Sequence, residues 1–464
     1  MTDPAPQATT VTARARVLVP SGALALNYDA VALERGLDLG PDIIAIDGGS
    51  TDSGPAYLGQ GVSKYSRAST KIEWAGLMEA RAKAGVPLVI GTAGTCGTDS
   101  AVDWMLDITA EIAAERGETV RVAVLRSSQS PEKIAAALNA GRVTPLPNAP
   151  AVDVALIESC TNIVALAGAE QISAALATGA DIVIAGRTTD TAIIAALPLD
   201  RGCAPGAVWH GAKIGECGAL CATNPQSGVI VMDFDACGFD VTPLADGATC
   251  SPHTVSAHML YENSDPFILF EPGGHLDVTR ASYRQADHRS VRVTGSEWVS
   301  AERYTVKLEG ARIAGYQTVL MALLRDRRYV ENAAAWAEDI ATKCRAKVET
   351  RMGLASDAFR IELRLIGQDA SFGPLERQAK TPTEIGVMGI VTAADQATAT
   401  EIGRMLNPYL LHHPLTQTEE QPTFAFPFSP AELERGAIYE FCLNHVLELD
   451  DPMDAFRLEV VELG

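Results

Sequence analysis

Asp42-Ile43-Ile44-Ala45-Ile46-Asp47-Gly48-Gly49-Ser50-Thr51-Asp52-Ser53-Gly54-Pro55 joins a short apolar run to a loop of glycines, acids and hydroxyls. An apolar run without alternation fits a strand buried on both faces, as in a parallel sheet covered by helices. Similar runs stand at Arg16–Pro20, Pro87–Ile90, Val120–Leu125, Val152–Ile157 and Asp181–Ala185. Helical stretches lie between them and carry start signals. Asp99 precedes Ala101–Arg116, and Ser130-Pro131 supplies an N-cap with proline at the first helical position. Six such βα units predict a parallel sheet, doubly wound or barrel-like, and the open form fits better.

After about Gly206 turn-rich text takes over, with Asn224-Pro225, Asp246-Gly247 and Pro272-Gly273-Gly274. Alternating strands such as Ser290–Thr294 and Tyr304–Leu308 follow, and Tyr316 to Lys347 reads as helix. The last hundred residues read as strands at Arg360–Ile366, Ile385–Val391 and Arg457–Val461, with a helix at Ala394–Leu406. The fold class expected is α/β. It has a parallel, Rossmann-like N-terminal sheet, a mixed α+β second lobe and a small ferredoxin-like C-terminal unit. In residues, these are a disordered leader 1–15, an α/β domain 16–205, a mixed lobe 206–350 and a C-terminal unit 351–464.

The chain has 464 residues, more than one ordinary core organises. Its 37 Lys and Arg stand against 58 Asp and Glu, a formal charge of −21 that repels nucleic-acid backbones and anionic lipid surfaces. No apolar run approaches the roughly 20 residues that span a bilayer. Met1 to Ala15 lacks the basic patch and apolar core of a signal peptide, so the expected location is cytoplasmic. The nine cysteines contain no C-x-x-C pair and read as reduced core residues.

Ligands of open parallel sheets bind beyond the carboxyl ends of the strands. The loops there are Ser21-Gly22, Asp47 to Pro55, Gly91-Thr92-Ala93-Gly94-Thr95-Cys96-Gly97-Thr98-Asp99, Arg126-Ser127-Ser128 and Gly186-Arg187-Thr188-Thr189-Asp190. Such loops also serve as ordinary caps and turns, but several at one edge favour a site. The expected substrate contacts are Ser21, Gly48, Gly49, Ser50, Thr51, Thr92, Gly94, Thr95 and Thr188, with Arg126 and Arg187 as forks for an anionic group. None of the loops has a phosphate fingerprint, so no nucleotide cofactor is expected. Asp47 and Asp52 can divide acid and base roles, or hold a divalent cation with Ser50 and Thr51. In the other reading, Asp52 caps a turn and Asp47 makes a local hydrogen bond. Asp190 joins these acid candidates.

Downstream, His210-Gly-Ala-Lys213-Ile-Gly-Glu216-Cys217-Gly218-Ala219 offers Glu216 as acid or base. An anion beside Cys217 raises the thiol and makes it a poor nucleophile, and a dyad with His210 has no support from spacing. Glu262 and Asn263 in Tyr261-Glu-Asn-Ser-Asp-Pro266 are further substrate contacts, as is Lys307 in Val306-Lys-Leu-Glu-Gly310, where alternation suggests burial and pairing. His412-His413 reads as a solvated turn.

These motifs together resemble the acyclic terpene utilisation AtuA-like family. The residues that carry the resemblance are Asp47 to Pro55, Gly91-Thr-Ala-Gly94, Gly186 to Asp190, Ile214 to Ala219, Leu260 to Asn263, Val306 to Gly310 and Tyr439-Glu-Phe-Cys-Leu-Asn-His445-Val. Departures are the short Ser21-Gly22-Ala loop and Leu220-Cys221 after the Glu-Cys-Gly-Ala segment, which suggest a different substrate. The resemblance implies catabolism of branched acyl chains or organic acids and, in some members, a small companion protein, so a homo-oligomer or such a hetero-complex is expected. It brings no catalytic residues to carry over.

The expectation is a lyase, a hydratase or dehydratase, acting on a small hydroxy- or unsaturated carboxylic acid or its acyl-CoA ester without a redox cofactor. The alternatives are an isomerase using the same acid–base pair and a non-catalytic acyl-binding subunit of a partner enzyme.

Overall fold

The structure, a computed structural model, describes residues 13–377 and 381–464; the first twelve residues of the expected leader lie outside it, and Arg14 already begins a strand. Five strands run parallel in the order Arg14–Val19, Ile43–Asp47, Leu88–Gly91, Ile182–Ala185 and Val120–Arg126. Their alternate residues feed two different cores. Val17, Ile43, Val89, Ala123 and Val183 enter one, and Leu18, Ile44, Ile90, Val124 and Ile184 the other. This two-sided burial is why the strands read as unbroken apolar runs.

Helices fill both faces. Ala30–Asp38, Arg67–Ala84 and Asp99–Arg116 bury Leu33, Trp74, Met105 and Ile108 in one core. Pro131–Asn139, Ala169–Ala177, Ala192–Asp200 and Pro205–Gly215 bury Ile134, Ile172, Ile194 and Trp209 in the other. Ser130 caps its helix as expected, accepting from Lys133 N–H, whereas the helix at Asp99 is capped by Thr98.

Several expectations are corrected. Val152–Ile157 is not a strand. Asp153 caps a short helix, Val154–Glu158, and the strand follows at Cys160–Ala165, in another sheet paired with Tyr304–Leu324. Five parallel strands therefore replace the expected six. Residues 206–300 do not form a separate lobe either. Ile230–Asp235, Gly238–Pro243, Val291–Thr294 and Ser282–Gln285 extend the parallel strands antiparallel from Arg14–Val19, and Arg457–Leu463 is added beside Val120–Arg126, giving a mixed sheet of ten strands among the described residues. Tyr316 to Lys347 is helical only in its second half, because Tyr304–Leu324 is one long strand. Its alternation from Thr318 to Leu324 is a two-residue period that an apolar composition conceals.

The compact units accordingly differ from the expected boundaries. One runs to Arg312 and includes Phe441–Gly464; the other is Ile313–Glu440. The second unit has strands Phe359–Ile366 and Ile385–Ala393 paired antiparallel and helices Ala333–Met352 and Gln396–His412, around Trp336, Ile340, Val387 and Leu406. His413 is buried there, with its ring nitrogen Nε2 2.7 Å from Asp339 Oδ2, so it is not a solvated turn. No helix among the described residues is long and apolar enough to cross a membrane.

At the carboxyl edge of the parallel strands the loops continue the pairing. Gly48 N–H donates to Gly91 O, Thr92 N–H to Gly186 O and Arg187 N–H to Gly97 O, at 2.8, 2.8 and 3.1 Å. A Cβ on Gly48 would lie 2.5 Å from Thr92 O, so the close approach of these two loops requires glycine. Gly48→Ala should cost about 1–3 kcal/mol, the range for overpacking. A thermal melt checks it, and an unchanged Tm would show that the loops separate freely.

Candidate active site

The strand-end loops converge on a cavity of about 800 Å³. Ser21, Asp47, Gly49, Ser50, Asp52, Asp190, Glu216, Cys217 and Glu262 line it, so most of the proposed acids meet there. Tyr261, from the segment that carries Glu262, lines it too, as do Lys64 and Tyr65, which were not anticipated.

Asp47 ends its strand with only 4% of its surface exposed. Its oxygens accept from Gly48 and Gly49 N–H at 2.8 and 3.2 Å, so the local hydrogen bonds and the cavity position coexist. Burial, then the charge of Asp190, holds its carboxyl well above the usual aspartate range, against the pull of Arg187. Asp190 is also raised by burial, but Arg187 stands 3.5 Å away and draws it down. Asp52 lies exposed on the rim. It does not cap its turn, because Ser50 Oγ accepts from Asp52 N–H instead.

Glu216 and Lys213 come from the end of Pro205–Gly215, a helix buried almost all round. Spacing i,i+3 puts the two on one face, and the lysine ammonium donates to Glu216 Oε1. Burial pushes the Glu216 carboxyl up to about 8 despite Lys213. Burial lowers Lys213, but Glu216 outweighs it and the net shift is upward. Cys217 is raised by burial and by Glu216, so the thiol stays protonated. Behind these acids, Glu271 accepts from Thr191 Oγ at 2.6 Å, and burial raises it to about 7.

His210 is not a partner of Cys217. Its Nδ1 meets Ser296 Oγ at 2.7 Å and its Nε2 meets Tyr283 OH at 3.1 Å. The histidine near the thiol is His258, on Pro252–His258, a helix started by a Ser251–Thr254 capping box. Burial holds its ring down at about 4, and Nε2 has no hydrogen-bond partner.

The two arginines expected to grip an anion are already engaged. Arg126 pairs with Asp103 at 2.8 Å and with Glu459 at 2.9 Å, tying a helix and the last strand to its own strand. Arg187 sends Nε and Nη2 to the two oxygens of Glu309 at 3.0 and 3.3 Å, and Nη1 to Thr92 Oγ1 and Thr188 O at 3.2 Å each. Thr51 Oγ1 donates to Glu309 at 3.0 Å and Lys307 Nζ does so at 3.0 Å. Lys307 is thus paired as alternation suggested, but half-buried. Thr51, Thr92 and Thr188 serve this network instead of lining the cavity. Thr51 is held by Glu309, while Ser50 Oγ accepts from Asp52 N–H and still faces the cavity. Gly48 and Gly94 shape the loops, and Thr95 Oγ1 lies 3.3 Å from Ser63 Oγ. Asn263 donates to Ile268 O at 3.3 Å, and none of these residues lines the cavity.

The chain is an α/β protein with an acid-lined cavity at strand ends, and the family defined by the acyclic terpene utilisation family protein AtuA matches residues 65–201 and 239–433. The chain belongs to that family. No curated protein and no solved structure matches it significantly. Asp47, Lys213, Glu216 and Cys217 fall outside the matched residues, whereas Arg187, Asp190, His258, Glu271 and Glu309 fall inside.

Burial raises the Glu309 carboxyl, but Arg187 and Lys307 outweigh it and hold it down at about 2. With the folded value lowered, the stabilisation is complete above about 4.3, the ordinary glutamate value, and is lost as pH falls toward the folded one. Glu309→Gln should cost about 3–5 kcal/mol at neutral pH and remove the acid-sensitive part of stability in that window. Denaturant unfolding at several pH values checks this. A variant as stable as wild type would dissolve the assigned role of the pair.

Proposed function

We propose that the protein is a carbon–oxygen lyase, a hydratase or dehydratase, of hydroxyacyl or unsaturated acyl substrates in acyl or organic-acid catabolism. The observation that carries this is that Asp47 and Asp190 face one cavity in different surroundings, Asp47 buried on two backbone N–H groups and Asp190 3.5 Å from Arg187, and both carboxyls are raised from the ordinary value. Carboxyls whose environments separate them can act as acid and base at one pH. Asp47, more deeply buried and raised further, holds the proton. Asp190, beside Arg187, is the base.

In dehydration Asp190 removes the proton α to the carbonyl, and its electron pair forms the new double bond. Asp47 protonates the departing β-hydroxyl, the C–O bond breaks, and water leaves. Solvent then takes the proton from Asp190 and returns one to Asp47. Hydration is the reverse. Among the described residues that line it the cavity has no arginine, and its one lysine, Lys64, bonds Ser53 Oγ, which favours an uncharged reacting end, an ester or thioester, over a free acid. The same reading takes the parallel strands as Rossmann-like, with substrate at their carboxyl ends, and the second unit as ferredoxin-like.

Hydroxyacyl and enoyl thioesters, followed by proton NMR in heavy water, test the reaction. Asp47→Asn and Asp190→Asn should each lower kcat by roughly two to four decades with Tm retained. Full turnover by either variant would end the proposal.

Asp190 faces Arg187, Asp52, Lys213 and Glu262, and the Asp52 charge raises its carboxyl. Asp52→Asn should therefore move the acidic limb of the kcat profile to lower pH while the plateau stays close to wild type. A limb that moves upward would take Asp190 out of the base role.

A further inference from the structure

We propose that Glu216, Cys217 and His258 form a binding site for a zinc-class divalent cation, with an open position toward the cavity. A carboxylate oxygen, Cys217 Sγ and an imidazole nitrogen all lie within 4.8 Å of one another. Tetrahedral zinc with bonds of ~2.0–2.3 Å holds its donors ~3.3–3.8 Å apart, so a modest contraction brings the three onto one ion. Thiolate and imidazole together select zinc or cobalt over magnesium and calcium, which prefer oxygen alone.

His258 supplies the second, independent observation. Only 5% of it is exposed, its ring stacks on Tyr261 with centroids 5.4 Å apart, and its Nε2 has no partner. A buried ring nitrogen left unpaired is costly, and a metal bond is one of the few contacts that satisfies it without a further donor. The surrounding charge agrees. Besides the proton-holding Asp47, the carboxyls of Asp52, Asp190, Glu216 and Glu262 line the cavity with one ammonium, Lys64, while Arg187 is neutralised by Glu309 and Lys213 is the ammonium beside Glu216. Lys213 occupies one oxygen of Glu216 and leaves the carboxylate a second for the ion.

Glu216 and Cys217 line the cavity, so a three-ligand site would leave its fourth position to water or a substrate oxygen, the pattern of catalytic zinc. On binding, the Cys217 S–H bond breaks and the Glu216 carboxyl gives up the proton it holds below about pH 8; both protons go to solvent, and sulfur and oxygen donate to the metal with no change of oxidation state. When bound, the ion would polarise the acyl carbonyl. This role, but not the binding itself, rests on the proposed lyase reaction.

The test is cobalt titration of the chelator-treated full-length protein without substrate, read by the thiolate-to-cobalt absorption band and by melting temperature. Wild type should take up one cobalt per chain, show the band and melt higher. Cys217→Ser, nearly isosteric, should lose the band. His258→Gln should weaken binding by more than the roughly 10–100-fold that loss of a hydrogen-bond partner to a ligand costs. If His258→Gln fails to fold, the band in Cys217→Ser decides alone. No uptake by folded wild type, or an undiminished band in Cys217→Ser, overturns the site. Cobalt bound here without turnover of any thioester would overturn the lyase reading and leave the site standing; turnover by the chelator-treated protein would end the ion's role at the carbonyl and leave both the lyase reading and the binding site standing.

Discussion

The ion pair between Arg187 and Glu309 is the contact on which the candidate site depends. Both side chains are buried, at 6% and 5% exposure, and neither could stay charged there alone. The guanidinium meets Thr92 and Thr188, Glu309 meets Thr51 and Lys307, and the Arg187 backbone is bonded to Gly97 and Ala167. Three strand-end loops and a strand 122 residues further along the chain are thus fixed around one charge pair. Those loops carry Asp47, Asp52 and Asp190, so the pair sets the spacing of the acids without touching a ligand.

Its electrostatic consequence is as important as its geometry. Glu309 absorbs most of the positive charge of Arg187, and what remains reaches Asp190 more directly than Asp47. Two aspartates in one cavity are thereby made unequal, which is what acid–base work at a single pH requires. A free arginine in the same place would hold both acids ionised and leave no proton to donate.

The parallel strands and their polar loops were legible in the sequence because both arise from local rules. Two-faced burial writes an unbroken apolar run, and tight loop crossings such as Gly48 against Thr92 write glycine. Val152–Ile157 failed because five apolar positions suit a strand or a short helix equally, and a single cap at Asp153 decides. The second lobe failed for a different reason. Local alternation announces a strand but says nothing about the sheet it joins, and here it joined the parallel one. The arginines were misread for the same cause: a fork suited to a carboxylate does not reveal whether the carboxylate is a ligand's or Glu309. The Lys213–Glu216 spacing was visible, but its weight came from the burial of the whole helix.

His258 marks the limit of what spacing can reveal. His210 lies nearer to Cys217 in the chain, yet it is held by Ser296 and Tyr283, while His258 comes back from a separate helix to within reach of the thiol. The difference is one of satisfaction, not proximity. A buried histidine with both nitrogens bonded has no capacity left for chemistry, whereas one with a bare nitrogen does. The same test separates Arg187, whose donors are taken, from the raised acids along the cavity. Burial pushes each of those acids toward its protonated form while a neighbouring cation or N–H group pulls the other way. Any chemistry in this cavity would therefore fall to the polar groups the fold leaves incompletely paired.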